Sequence, residues 1–288
     1  SSDLGFQGAL GGVSATALGA TAVRAAVERA GVAPDSIERI VMGCVLPAGL
    51  GQAPARQAAL GAGLPQSVEA ATVNKMCGSG MEAAIVAHDA LAAGTADLIV
   101  AGGMESMSNA PYLLMKHRGG ARIGHDAVKD SMYLDGLEDA YDPGKLMGAF
   151  AEEAAQSYQF TRGAQDAYAL ESLARAKAAI ASGAFEREIT PVTVTTRKGS
   201  EDIAEDEQPG KALPEGPFAV NVDKIPTLKP AFAKDGTITA ANASSISDGA
   251  AAMVMSRASV ANRLGLTPVA RIVAHAGHAH APGLFTTA

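Results

Sequence analysis

Short apolar runs, several ending in glycine, alternate with alanine-rich stretches along the first third of the chain, and few folds accept that alternation. Val13–Ala30 reads as a helix, with Leu18, Ala22 and Ala25–Val27 returning on one face and Gly31 ending it. The second half of Ile37–Leu46 is apolar enough for a buried parallel strand. The Gly/Pro-rich loop Pro47–Pro54 leads into a second helix, Ala55–Ala62. Ala70–Val73 is a short strand, Gly80–Ala93 a third helix, and Asp97–Gly103 a third strand. Strand–helix–strand repetition predicts an α/β fold, a mostly parallel sheet with helices on both faces.

After about Pro111 the pattern changes. Residues 111–150 mix His, Lys, Arg, Asp, Tyr and Gly with weak periodicity, as in an irregular excursion. Gly148–Gly183 is helical, with Thr161 and Gln165 offering an N-cap region. Ile189–Arg197 alternates like a hairpin strand, and Lys198–Glu215 reads as an acidic loop. From Thr237 the strand–helix style returns: Ile238–Ala243, a helix opening near Ser247-Asp248, a buried strand over Ala250–Met255, and a last strand over Leu266–Ala274. The expected organisation is an α/β half over 1–110, an inserted loop domain over 111–236, a return to the first half over 237–265, and the start of a second half over 266–288.

Charge and composition narrow the function. Lys+Arg is 23 against Asp+Glu 30, a net charge of −7, so the basic footprint of a nucleic-acid binder is missing. No apolar run reaches the roughly 18 residues of a membrane span, and Ser1–Gln7 has neither the basic nor the apolar region of a secretory signal. Two cysteines make no disulfide framework and fit a reducing compartment. These bounds point to a cytoplasmic enzyme without nucleic-acid or membrane partners.

The sharpest local feature is Asn74-Lys75-Met76-Cys77-Gly78-Ser79-Gly80, between a short strand and an alanine-rich helix. A cysteine at a helix N-terminus feels the positive end of the macrodipole, which favours thiolate. The glycines would let a substrate approach the backbone and offer amides to a developing oxyanion. A small core residue beside a turn is the competing reading. Ser79 is a rival nucleophile, but its spacing is one residue too tight on each side for a Gly-x-Ser-x-Gly elbow. Cys44 lies inside an apolar strand with no adjacent base, which favours packing over reactivity. His275, His278 and His280 could suggest a metal, yet no Cys or carboxylate joins them in sequence, and a solvated loop is the simpler reading. No metal is expected. Neither a dinucleotide nor a P-loop glycine pattern is present. The run Asn242–Gly249 could bind a polar ligand, with helix capping the simpler role.

Four segments, Asn74–Ala83 (NKMCGSGMEA), Ala101–Pro111 (AGGMESMSNAP), Gly51–Gly61 (GQAPARQAALG) and Thr239–Ala251 (TAANASSISDGAA), together resemble the thiolases, the acetyl-CoA C-acetyltransferase family. The resemblance implies a thiolase fold of two similar α/β halves with a loop domain inserted in the first. It also implies acyl transfer with acetyl-CoA or another acyl-CoA as substrate, and no metal or redox cofactor. Cys77 matches the nucleophile that takes the acyl group. Ser244 matches the serine that contacts the pantetheine amide, with Ala240 and Ala241 on the same approach. Leu137, Met147 and Phe232 match apolar residues lining the coenzyme A tunnel. Leu146 stands where many members carry a His that helps to place the substrate. Tyr112–Ser131 resembles a tetramerisation loop, and Gly51–Gly61 with the cysteine segment matches a dimer interface, so a homodimer or homotetramer is expected. Family chains also carry an amino-terminal strand ending in Arg-Thr-Pro, and later Asn-Glu-Ala-Phe, Gly-His-Pro and Cys-x-Gly segments that supply a base and a second thiol. None of these occurs in the 288 residues. The resemblance therefore implies slow acylation of Cys77 without turnover for these residues alone, and leaves open a non-turnover relative that binds acyl-CoA or scaffolds an oligomer.

Overall fold

The computed structural model describes residues 4–197, 199–209 and 222–288. Its main sheet has five strands in the order β1-β9-β4-β2-β3: β1 (Leu4–Gly5), β2 (Arg39–Gly43), β3 (Glu69–Val73), β4 (Leu98–Ser106) and β9 (Ser247–Ser256). β2 runs parallel to both β3 and β4, while β9 is antiparallel to β4, with Val100 opposite Val254. The parallel strands are joined through α2 (Pro54–Gly61) and α3 (Ser79–Ala92), as the alternation requires. The preceding helix, α1 (Ala15–Ala30), starts on Ser14, whose hydroxyl accepts from Ala17 N, and stops at Gly31 in the left-handed conformation.

β4 shows why its run is apolar without alternation. Leu98, Val100 and Met104 face a core shared with α1 and α2, while Ile99 and Ala101 face a second cluster containing Ala87 and Leu91 of α3. A strand covered on both faces has no polar side to show. Ile40, Val41, Ile99 and Val100 are fully buried, and each such side chain contributes about 2 kcal/mol.

Contacts divide the chain into two units. The first comprises Ser1–Met132, Thr190–Glu205 and Ser247–His275; the second comprises Tyr133–Ile189, Asp206–Ile246 and Ala276–Ala288. The excursion after Pro111 is thus shared between them. The hairpin of β5 (Tyr112–Leu114) and β6 (Val128–Asp130) belongs to the first unit, closed by Ser131 Oγ donating to Pro111 O at 2.6 Å. So does the hairpin of β7 (Val192–Thr196) and β8 (Gly199–Ile203), whose Val192, Val194 and Ile203 pack on the core. β8 replaces the expected loop at its start, because Thr193 and Thr195 pair across the strands with Asp202 and Ser200. The rest of that acidic stretch, from residue 210, lies outside the described residues.

The second unit holds α4 (Met147–Ser157) and α5 (Arg162–Ala181), split where Gln159 takes a positive φ. Thr161 caps α5 by accepting from Ala164 N. Three sequence expectations fail. Ile238–Ala243 is a series of turns and not a strand. No helix opens at Ser247-Asp248, since β9 begins there and the polar pair is taken into the sheet beside β1. Leu266–Ala274 is irregular after α6 (Ala258–Arg263), with Val269 and Val273 exposed, because no strand of the sheet pairs with it. Among the described residues no helix is long and apolar enough to cross a membrane.

Candidate active site

β3 ends at Val73 and α3 begins at Ser79, so Asn74–Gly78 must turn within five residues. The turn is built from its own side chains. Met76 N donates to Asn74 Oδ1 at 3.0 Å, Lys75 N donates to Ser79 Oγ at 2.8 Å, and Ser79 Oγ donates to Met76 O at 2.6 Å. Together they hold Met76 at φ +50, a left-handed conformation costing a non-glycine residue about 1–2 kcal/mol. The next residue, Cys77, is exposed just ahead of the helix. Ser79 is buried and doubly engaged, so it is a brace of the loop and not a second nucleophile.

Close approach of backbones sets the helix start against the sheet. A Cβ on Gly43, the last residue of β2, would lie 2.5 Å from the carbonyl carbon of Ser79 and 2.6 Å from Gly80 N. Gly80 in turn stacks on Gly102 and Gly103 of β4. These glycines bring α3 onto the strand ends and fix where Cys77 emerges. The expected oxyanion donors are only partly there. The amides of Gly78 and Ser79 already donate within the turn, to Lys75 O at 3.1 Å and Met76 O at 3.0 Å.

Cys44 behaves differently. It is 1 % exposed, and burial, with the Glu105 carboxylate beside it, pushes its thiol from 9.0 up to about 12. The expectation of no adjacent base is corrected: Glu105 Oε1 lies 3.6 Å from Cys44 Sγ. The added charge deepens the contrast with Cys77, since an anionic neighbour keeps a thiol protonated. His275 is not simply solvated. Its Nε2 lies 2.9 Å from Asp89 Oδ1, and His88 Nδ1 lies 3.0 Å from the same oxygen, so the carboxylate already holds both rings. His278 and His280 contact each other at 3.2 Å.

The residues matched to coenzyme A contacts all fall in the second unit. Leu137 closes a short π-helical turn, Met147 opens α4, and both are half-buried. The Phe232 ring lies on Gly148, next to Met147, where any Cβ would collide with it. Ala240 and Ser244 are exposed and Ala241 is half-buried. Their segment is pinned by polar groups. Glu152 accepts from Thr237 N and Ile238 N at 2.8–2.9 Å and from Thr237 Oγ1 at 2.9 Å. Burial pushes the Glu152 carboxyl up, but the donors from Ile238 and Thr237 outweigh it and hold it below its ordinary value. Asn242 accepts from Thr239 N at 2.7 Å and donates to Asp166 Oδ1 at 3.0 Å, while Arg162 Nε pairs with Asp166 Oδ2 at 2.6 Å. Asn242 therefore ties a turn and caps no helix. Glu105, Glu152, Asp166 and Arg162 escaped the sequence reading. Only Glu105 left a signal, as an acid at the end of an apolar strand.

The site is thus an exposed cysteine at the start of a glycine-seated helix on a mixed α/β sheet. Residues 3–259 match the family model described as thiolase, N-terminal domain. An acetyl-CoA acetyltransferase of Thiocystis violacea is 45% identical over 285 residues, covering 98% of this chain and 70% of that protein. Acetyl-CoA acetyltransferase 2 of Arabidopsis thaliana is 48% identical, covering 99% and 69%. The crystal structure of a thiolase from Ascaris suum in complex with coenzyme A superposes with a TM-score of 0.84 at 38% identity, covering 93% of this chain and 66% of that one. The chain belongs to the thiolase family. It has the thiolase fold, and its activity is acyl transfer of the thiolase type.

Proposed function

We propose that Cys77 is the nucleophile of acyl transfer from acetyl-CoA, and that the chain makes or thiolytically cleaves acetoacetyl-CoA or a longer 3-ketoacyl-CoA. The observation that carries this reading is the exposed thiol held by a strained, cross-braced turn at the start of α3. Cys77 Sγ attacks the thioester carbonyl; a carbon–sulfur bond forms to Cys77 as the bond to coenzyme A breaks. The thiol proton ends on the released coenzyme A. The α-carbon of a second acyl-CoA then gives up a proton, which ends on the departing Cys77 sulfur, and the carbanion so formed attacks the acyl-cysteine, making the carbon–carbon bond and freeing the thiol. Thiolysis is the reverse. Sulfur carries the acyl group throughout, so the scheme calls for no metal or redox cofactor.

Ser244 is assigned to the pantetheine amide, with Ala240 and Ala241 beside it and with Leu137, Met147 and Phe232 as apolar lining. The support is the match of these residues to the family pattern, together with the contact of Phe232 on the first turn of α4. A homodimer or homotetramer is also proposed. β3 is an outer strand of the sheet, and its Glu69, Ala71 and Thr72 are exposed, a geometry suited to a second copy of this chain. A cytoplasmic setting fits two free thiols. The test is peptide mapping after brief iodoacetamide treatment, with and without acetyl-CoA. Cys77 should be labelled first and protected by acetyl-CoA; labelling of Cys44 first in the folded protein would remove Cys77 from the role.

A further inference from the structure

Glu105 lies at the carboxyl end of β4, an acid placed in an otherwise apolar strand. Each of its oxygens is held by a main-chain N–H from the stretch that follows β2. Val45 N donates to Oε2 at 2.8 Å and Leu46 N donates to Oε1 at 3.0 Å. That stretch is where the nucleophile loop finds its support. Cys44 N donates to Val73 O at 3.0 Å, joining it to the end of β3. Asn74 Nδ2 donates to Val45 O at 3.3 Å, while the Oδ1 of the same amide takes Met76 N at 3.0 Å. One residue, Val45, therefore has its N–H held by Glu105 and its carbonyl held by Asn74. The chain of contacts ends on Met76, the left-handed residue directly before Cys77.

We infer that Glu105 is a positioning residue for Cys77, acting through the Val45 backbone and Asn74 to hold Met76 in the conformation that presents the thiol. This deepens the reading of Cys77 as nucleophile and rests on it. A strained residue keeps its conformation only where its surroundings over-determine it, and the Asn74 side chain is one of the two braces that do so here. An amide in place of the carboxylate cannot accept from both N–H groups. Its own NH₂ would face one of them and push the Val45–Leu46 backbone away. Burial drives the Glu105 carboxyl above its ordinary value, with the donors from Val45 and Leu46 opposing, so the charge is a net cost to the fold. A brace serving stability alone would gain from losing that charge.

The discriminating experiment is single-turnover acetylation of Cys77 by acetyl-CoA, measured beside the thermal midpoint. For Glu105→Gln the acetylation rate should fall by about 10–100-fold, the usual penalty of a displaced reacting group. The midpoint should hold or rise, and half-saturation for acetyl-CoA should stay close to that of the parent. Asn74→Ala should show a similar loss, and the double variant should be no slower than the slower single, because both act through one linkage. If Glu105→Gln does not fold, Glu105→Asp, which keeps the charge but withdraws it by one methylene, takes its place. An unchanged rate in the folded Glu105 variant, or losses that multiply in the double, would overturn the inference while leaving Cys77 as nucleophile. Acetylation that persists in Cys77→Ala would instead remove the reading beneath it.

Discussion

The proposed nucleophile and the segment assigned to pantetheine are held in place by opposite means. In the first unit, Cys77 is positioned by backbone packed on backbone: Gly43 under Ser79, and Gly80 on Gly102 and Gly103, over fully buried Ile, Val and Met side chains. In the second unit, Thr237–Ser244 rests on no strand among the described residues. Among the described residues it hangs on Glu152, Asn242, Asp166 and Arg162 through hydrogen bonds and one ion pair. A site built on close backbone contacts is damaged by added volume; a tethered site is damaged by the loss of a charged or hydrogen-bonding partner. The proposed reacting atom therefore sits on the packed element, and the long arm of the substrate is assigned to the tethered one.

Removing the sulfur should have the largest effect. Cys77→Ala should lower acyl transfer by on the order of 10⁴–10⁶, as loss of a covalent nucleophile does. Cys44→Ala should leave the rate unchanged, because its thiol, at about 12, stays protonated near neutral pH. Single-turnover acetylation of the two variants by acetyl-CoA checks both. Comparable losses would mean that the buried thiol takes part in the chemistry.

The tethered region should yield next. Asp166→Ala leaves Arg162 without its carboxylate and Asn242 without its acceptor, at a position where the acid is almost wholly buried. Such a break costs about 3 kcal/mol. Chemical denaturation should show that loss, with weaker coenzyme A binding and ordinary alkylation of Cys77. Slower alkylation of Cys77 would mean that the two regions are not separable in this way. On the packed side, Gly43→Ala forces a methyl into the start of α3, at about 2 kcal/mol. Here the alkylation rate should drop while the tethered segment keeps its hydrogen-exchange protection.

This contrast also explains what could be read from the chain. Apolar runs and helix periodicity are local signals, so β2, α2, β3, α3 and β4 were legible to within a few residues. The motif at Cys77 was legible because a turn, a helix start and three small residues occur together in one short stretch. The tethers were not. Glu152 reaches Thr237 and Arg162 reaches Ile225 across more than sixty residues, and neither pairing leaves a mark in its own neighbourhood. Ile238–Ala243 has the composition of a strand, whereas its main-chain groups are satisfied by Asn242 and by turns. Leu266–Ala274 carries the composition of a strand, but a strand also needs a neighbour.

A smaller effect is expected at Ser244. If its hydroxyl contacts the pantetheine amide, Ser244→Ala weakens coenzyme A binding by about 1 kcal/mol, the worth of one neutral hydrogen bond. Calorimetric titration with coenzyme A would show it, and the change should fall on binding with the acetylation rate at saturation preserved. An unchanged dissociation constant would take Ser244 out of the tethered site.

Acid should separate the two regions most gently, and in opposite senses. Glu152 titrates below its ordinary 4.5 in the folded protein, so its contribution is present above 4.5 and is lost as the pH falls through the folded value. Glu105 titrates above 4.5, so its contribution is present below 4.5 and is lost as the pH rises through its own folded value. Lowering the pH therefore loosens the Thr237–Ile238 tether while it relieves the buried charge behind the nucleophile. Glu152 is half-buried and its interactions are partly screened, so the change should be local and small. Amide hydrogen exchange, corrected for the intrinsic effect of pH, reads it residue by residue. Protection at Thr237 and Ile238 should fall first on acidification, with Val45 and Leu46 holding theirs. Earlier loss at Val45 and Leu46 would mean that the Glu105 carboxylate, and not the packing around it, is what keeps the first region closed.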